Sequence, residues 1–209
     1  MGELLDVLNA AGSPTGETKP RPNVHRDGDL HRTLHLWLLK DKQTVLLQRR
    51  ALGKDLEPGK LDVAVGGHFS AGETLPDVLR ETREELGFSV AAHELIYLGT
   101  THARRSYPDV TDNELQETYL LLRDAPLENY RMNHREVEVL YELPLEGALA
   151  LFERGTPLAA AGFDAYGRHN NALLIAEDLI EPARLEVVLR LKQIQAFVSS
   201  GVQPQPSNL

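Results

Sequence analysis

The sequence predicts an α/β fold. Three observations carry that prediction. Short apolar, strand-like runs stand before residue 66, and more follow residue 94. Between them lies one helix dense in acidic residues. Two further helical patterns, at residues 143–154 and 180–199, close the chain. Its 209 residues suffice for one domain with a sizeable core. We expect an N-terminal extension over 1–22, a catalytic domain with a C-terminal helix over 23–200, and a disordered tail over 201–209.

Composition narrows the function classes. Apolar residues make up 42% and charged ones 25%, an ordinary globular composition. The formal charge of −9 argues against a surface for nucleic acid polymers, which needs a basic stripe. A phosphorylated small substrate stays compatible with that charge, because a bound metal supplies local positive charge. No cysteine exists, which excludes disulfides, zinc–thiolate sites and a cysteine nucleophile. No apolar run approaches the ~20 residues of a membrane span, and the N-terminus lacks a signal-peptide plan. An intracellular, cytoplasmic location is the default expectation. Homodimers are the commonest oligomers, so a homodimer is the default assembly.

In chain order, residues 4–8 form an apolar patch, read as a short helix or strand, and a loose connector follows. A polar turn at Asp27, Gly28 and Asp29 leads into an apolar strand ending at Leu39. Residues 40–43 are a turn, and 44–48 a second strand. His31 and His35 are separated by an even number and share a strand face. As a lone residue, a histidine is more often a hydrogen-bonded structural group than a metal ligand. Arg49 and Arg50 end the second strand; their forks suit phosphate recognition, though an exposed strand end explains them equally well. Residues 61–65 make a short strand that delivers the chain to Gly66 and Gly67. Glycines there let the backbone approach a ligand, and a Gly67 carbonyl can join a metal site. Later, 94–101 reads as a strand and 102–110 as a polar loop. Residues 111–123 are extended, with Asp112, Glu114 and Gln116 on one face and an apolar half from Thr118. Residues 137–141 are a strand and 157–171 a loop. In the last helix Leu185, Val188, Leu189, Ile194 and Phe197 are the expected buried residues.

The acidic helix starts at Leu75, where Thr74 and Asp77 have capping-box spacing and Pro76 falls in the first turn. Gly87 is placed to end it in a left-handed cap. Leu75, Val78, Leu79, Thr82 and Leu86 form its core-facing stripe. Glu81, Glu84 and Glu85 fall within an arc of roughly 100° at 3.6 residues per turn. Such like charges repel by roughly 0.2–0.5 kcal/mol per pair. A hard divalent cation such as Mg²⁺ turns that repulsion into binding. Taken alone, the cluster reads more readily as a solvated acidic face, since charge runs usually are. A carboxylate on a strand facing the cluster would complete a metal site, and Glu114 is the first choice.

The stretch from Gly66 to Phe88 resembles the Nudix box: Gly67, Glu73, Arg80-Glu81, Glu84-Glu85, Gly87 and an apolar Phe88 supply its members. Six residues, not the family's seven, separate Glu73 from Arg80, so the slip lies at the loop-to-helix junction and sets Glu73 apart. The resemblance implies a mixed sheet sandwiched between helices, and Mg²⁺ or Mn²⁺ held by Glu81, Glu84 and Glu85. By family analogy Glu81 is the general base and Arg80 orients the glutamates. More loosely, residues 24–141 look like the Nudix branch of type I isopentenyl diphosphate isomerase and its hydrolase relatives. Positions matching that isomerase's site are His25, His31, His68, Asp112 and Glu114, candidates for a second metal or for substrate contacts. Gly66 stands at its cysteine position. The expected activity is metal-dependent hydrolysis of an organic diphosphate, with Arg49, Arg50 and Glu73 as substrate contacts. The competitors are an isomerase and a non-catalytic binding module.

Overall fold

The computed structural model describes residues 2–206. Two short strands, β1 (Leu4–Leu8) and β2 (Pro14–Pro20), form an antiparallel hairpin, and α1 (Arg21–Asp27) follows. The loose connector expected before residue 22 is therefore a strand. It is rich in Pro, Gly and Thr and largely exposed, so it carries no apolar alternation to read. Leu5 is fully buried and bridges Ser70, which docks the hairpin on the domain. Gly28 caps α1 in the left-handed region.

The main sheet holds nine strands. They are β3 (His31–Lys40), β4 (Thr44–Arg50), β5 (Leu61–Val63), β6 (Val65–His68), β7 (Ile96–Ser106), β8 (Thr111–Leu122), β9 (Val137–Pro144), β10 (Leu158–Asp164) and β11 (Ala172–Leu174). The order is β11-β10-β9-β4-β3-β8-β7, with β5 on β4 and β6 on β3. β3 and β8 run parallel, placing His31 beside Glu114, while β7 and β8 run antiparallel. The sheet is therefore mixed.

Helices cover both faces. On one, Trp37, Leu39, Leu47 and Tyr141 pack with Ala148 and Leu151 of α4 (Leu145–Arg154) and with Val188, Leu191 and Ile194 of α5 (Arg184–Ser200). On the other, Leu36, Leu38, Leu46 and Leu140 pack with Leu86 of the acidic helix and with Phe88. That helix is kinked at Leu79 into α2 (Leu75–Val78) and α3 (Arg80–Leu86). Val78 and Leu79 pack on Leu34 and Phe69. The Asp77 carboxylate accepts from the Thr74 N–H at 2.9 Å, and Gly87 ends α3 at φ 73°.

Four sequence expectations are corrected. The polar loop expected over 102–110 is strand as far as Ser106, because its polar residues alternate across a paired strand: Arg105 lies opposite Asp112. The loop expected over 157–171 contains β10, whose Ala and Gly residues carry little strand propensity. At Gly162 a Cβ would lie 2.3 Å from the Asn170 carbonyl oxygen, so the close approach requires glycine. The helix expected from residue 143 starts at Leu145, since residues 143 and 144 complete β9. In α5, Leu185 and Leu189 are exposed, whereas Val188, Arg190, Leu191 and Ile194 are buried. Apolar residues surround that helix on all sides, so periodicity does not select its inner face. Residues 201–206 have no helix or strand, and the rest of the expected disordered tail lies outside the described residues. Among the described residues no helix is long and apolar enough to cross a membrane.

Candidate active site

A cavity of about 530 Å³ opens where β3, β6, β8, α3 and α5 meet. Glu81, Glu84 and Glu85 all line it. Helical spacing aims them at β6, and Gly67 gives them room. A Cβ on Gly67 would stand 2.4 Å from the Glu81 carboxyl carbon. Burial pushes the Glu81 carboxyl up to about 7 against the lowering effect of Arg80. Glu85 is buried, accepts one bond from Gln48 Nε2 at 3.1 Å, and is held well above the usual carboxylate range by burial and by Glu81. Glu84 is half exposed.

Arg80 is the hub beneath these groups. Its guanidinium donates to Glu73 Oε1 at 2.8 Å, to Glu73 Oε2 at 3.2 Å, to Glu81 Oε1, to Glu84 Oε2 at 3.3 Å and to the His68 carbonyl at 3.3 Å. Glu73 also accepts the Ser70 N–H at 2.8 Å. Both its carboxylate oxygens are thus engaged, and Glu73 stands behind the cavity wall rather than in it.

A second group of side chains converges on the other side of β6. His25 from α1, His31 from β3 and His68 from β6 meet with ring centroids 5.1–5.3 Å apart, His31 and His68 stacked and His25 tilted against both. One ligand atom from each lies within 4.8 Å of the others, and the same holds for His31, Asp112 and Glu114. Glu81, Glu84 and Glu85 do not converge as tightly. The buried atoms His25 Nε2, His31 Nε2, His68 Nε2 and Asp112 Oδ1 have no hydrogen-bond partner. Buried polar atoms are normally satisfied, and Asp112 Oδ1 lies 3.9 Å from both His25 Nε2 and His31 Nε2, so these lone pairs form a donor set suited to a cation. His31 Nδ1 lies 3.0 Å from the Asp29 carbonyl oxygen, which makes Nδ1 the protonated nitrogen and leaves the Nε2 lone pair free. Burial lowers all three histidines, His25 to about 4, so their rings are neutral at pH 7. Arg105 holds Glu114 at 3.2 Å and keeps it charged despite its burial, while burial and the Glu114 charge push Asp112 up to about 7. This donor set, with three imidazoles and carboxylates, fits a divalent transition metal.

Cations stand among the carboxylates of the lining. Alternation on β4 separates the two arginines. Arg50 lines the cavity, bound to Asp62 at 2.9 Å and to the Leu56 carbonyl. Arg49 points away, to Asp178 at 2.9 Å and the Gly59 carbonyl, and does not line the cavity. Arg105 and Tyr107, from the polar stretch after residue 102 that was expected to border a substrate pocket, line the cavity. Sequence reasoning missed Lys54, which lines the cavity beside Glu136. It also missed the wall formed by Glu186, Val187 and Arg190 of α5. Lys54 sits four residues past Arg50, and that basic pair was the available signal.

The pattern of the NUDIX domain matches residues 29–159. The chain is 36% identical over 173 residues to Nudix hydrolase 3 of Arabidopsis thaliana, covering 80% of this chain and 22% of the plant protein. It thus spans about a fifth of that relative's length. It is 32% identical over 127 residues to an isopentenyl-diphosphate Delta-isomerase of Escherichia coli, covering 60% of this chain and 70% of that one. The crystal structure of DR0079 from Deinococcus radiodurans superposes with a TM-score of 0.55 at 28% identity, covering 73% and 90% of the two chains. With both the box and the sandwich in place, the chain belongs to the Nudix family.

Proposed function

We propose that the chain hydrolyses the diphosphate bond of a small organic diphosphate and depends on divalent metal. The observation that carries this reading is one cavity lined by the box glutamates, by His25, His68, Asp112 and Glu114 of the His/Asp/Glu cluster, and by the cations Arg50 and Lys54, with His31 buried behind them. Glu81, Glu84 and Glu85 are the oxygen donors for Mg²⁺, with the Gly67 backbone beside them. His25, His31, His68, Asp112 and Glu114 are the donors for a transition metal, Mn²⁺ suiting the mixed set. Bound metal supplies charge neutralisation at the diphosphate oxygens and eases deprotonation of the attacking water.

The remaining work falls to side chains. Arg50 is pinned by Asp62 and Leu56, and together with Lys54 it offsets the substrate's negative charge. Glu81 takes the proton from the attacking water. Arg80 keeps Glu81 oriented, and Glu73 keeps Arg80 in place. In this role Glu73 positions Arg80 and does not contact substrate.

The isomerase relative and the histidine cluster favour a second reading, isomerisation of isopentenyl diphosphate. That reaction needs a proton delivered at one carbon and removed at another. Gly66, at the relevant position, has no side chain to carry a proton, and the chain has no cysteine. Hydrolysis is therefore the better reading.

A panel of nucleoside, sugar and prenyl diphosphates, assayed for phosphate release with Mg²⁺ or Mn²⁺, tests it. Turnover of at least one compound, lost with chelator, is expected. Steady deuterium incorporation into the prenyl product in deuterated water would overturn hydrolysis in favour of isomerisation.

A further inference from the structure

Beyond the glutamates and the histidine cluster, the cavity continues under α5. β3 alternates its side chains, so Thr33, His35 and Trp37 follow His31 along the cavity face. Thr33 is 2% exposed, and its hydroxyl has no hydrogen-bond partner. The opposite wall comes from α5. Arg190 anchors that helix to β7 by donating to the Leu98 carbonyl at 2.8 Å and to Thr101 Oγ1 at 2.7 Å. This fixes Glu186 and Val187, which also line the cavity. The Glu186 carboxylate faces two cations, Arg105 at 4.0 Å and Arg190 one turn along α5. Val63 and Trp37 supply apolar surface between the polar walls. α5 lies outside residues 29–159, so this wall is added to the part of the chain that matches the NUDIX pattern.

A buried hydroxyl without a partner costs roughly 1–3 kcal/mol, and a ligand hydroxyl restores that bond. A carboxylate accepts well from sugar hydroxyls, as acidic residues do from a ribose 2′-OH. A prenyl chain offers neither, and would strip water from Glu186 and Thr33 without replacing it. A sugar ring matches both surfaces, with hydroxyls toward Thr33 and Glu186 and C–H groups toward Trp37 and Val63.

We infer that this part of the cavity is a specificity subsite for a hydroxyl-rich ring attached to the diphosphate, with Thr33 and Glu186 as its hydrogen-bonding residues. The inference rests on the diphosphate-hydrolase reading above. It assigns to α5 the choice of the group the diphosphate carries.

Calorimetry on the full chain with Mg²⁺ tests this without turnover, using methylene-bridged probes. These are methylenediphosphonate as the bare group, and the α,β-methylene analogues of a nucleoside diphosphate, a nucleoside diphosphate sugar and isopentenyl diphosphate. The first two analogues distinguish a ribosyl from a glycosyl ligand. At least one should bind about 10-fold or more tighter than methylenediphosphonate, a gain of about 1.4 kcal/mol. The isopentenyl analogue should gain nothing. Thr33→Val should cut the ratio of hydroxylated to bare affinity by about 5-fold or more, and Thr33→Ser should keep it. An isopentenyl analogue that binds as tightly as the hydroxylated ones overturns the subsite. So does a ratio unmoved by Thr33→Val. Failure of methylenediphosphonate itself to bind would remove the hydrolase reading, and the subsite with it.

Discussion

Glu85 is buried with a single hydrogen bond, from Gln48, and burial holds its carboxyl well above the usual range. In the unfolded chain the same group ionises near pH 4.3. Above that pH the folded, metal-free chain binds more protons at this position than the unfolded chain does. The group therefore costs stability increasingly as pH rises from the unfolded value toward its folded-state pKa, and the cost is constant above that. Glu85→Gln removes that cost and keeps an acceptor for Gln48. The metal-free variant should melt several degrees higher than the parent at pH 8, at roughly 2–4 °C per kcal/mol. The gain should fade as pH falls toward 4, and hydrolysis should be lost; a scan of melting temperature against pH checks the sign. At His68 the expectation is opposite in kind. His68→Ala deletes one of three converging imidazoles, so Mn²⁺ affinity by calorimetry should fall at least about 10-fold, as losses around metal sites do. Gly67→Ala places a methyl where the Glu81 carboxyl now lies. The end of Glu81 is flexible, so the fold should survive with little change in melting temperature, while kcat drops about 10-fold or more because the carboxylate is displaced.

At the scale of elements, α3 and its cap carry the site. Gly87 has φ 73°, and a Cβ there would lie 2.4 Å from Arg131 Cβ and 3.0 Å from the Arg131 carbonyl oxygen. The neighbour is partly backbone and does not yield cheaply. Gly87→Ala should cost about 2 kcal/mol or more, seen as a melting point lowered by roughly 4–8 °C. This element was legible in the sequence, because cap, stripe and charges all repeat within one short local window. The histidine cluster was legible only as scattered positions, since His25, His31, His68 and Asp112 belong to four elements that meet through the parallel β3–β8 pairing. Two features lacked any local signal. Arg49 and Arg50 are adjacent in sequence, and only the pleat of β4 decides which one reaches the cavity. The inner face of α5 is set by packing against β7 and α4, because its apolar residues are spread around the helix among polar ones.

At the scale of the molecule, the negative net charge extends into the cavity. More acidic than basic residues line it, and Arg50, Lys54 and Arg105 are each paired with a carboxylate, so a diphosphate needs bound metal to offset the charge it meets there. The association rate of a diphosphate should therefore rise when Mg²⁺ is added, and Lys54→Ala, which removes positive charge from the lining, should lower it in stopped-flow measurements. Gly66 has a different consequence, for tolerance to oxidants. A Cβ at Gly66 would meet only Val63 Cγ2 at 3.7 Å and the Leu34 carbonyl oxygen at 3.8 Å, ordinary contacts, so the fold has room for a side chain there. The chain nevertheless carries no thiol at this or any other position, and its sulfur is confined to two methionines. The cavity thus presents no thiol to peroxide, and alkylating reagents find no thiol on the chain. The parent should keep full activity after iodoacetamide treatment, whereas Gly66→Cys, folded and metal-loaded, should become sensitive to both reagents.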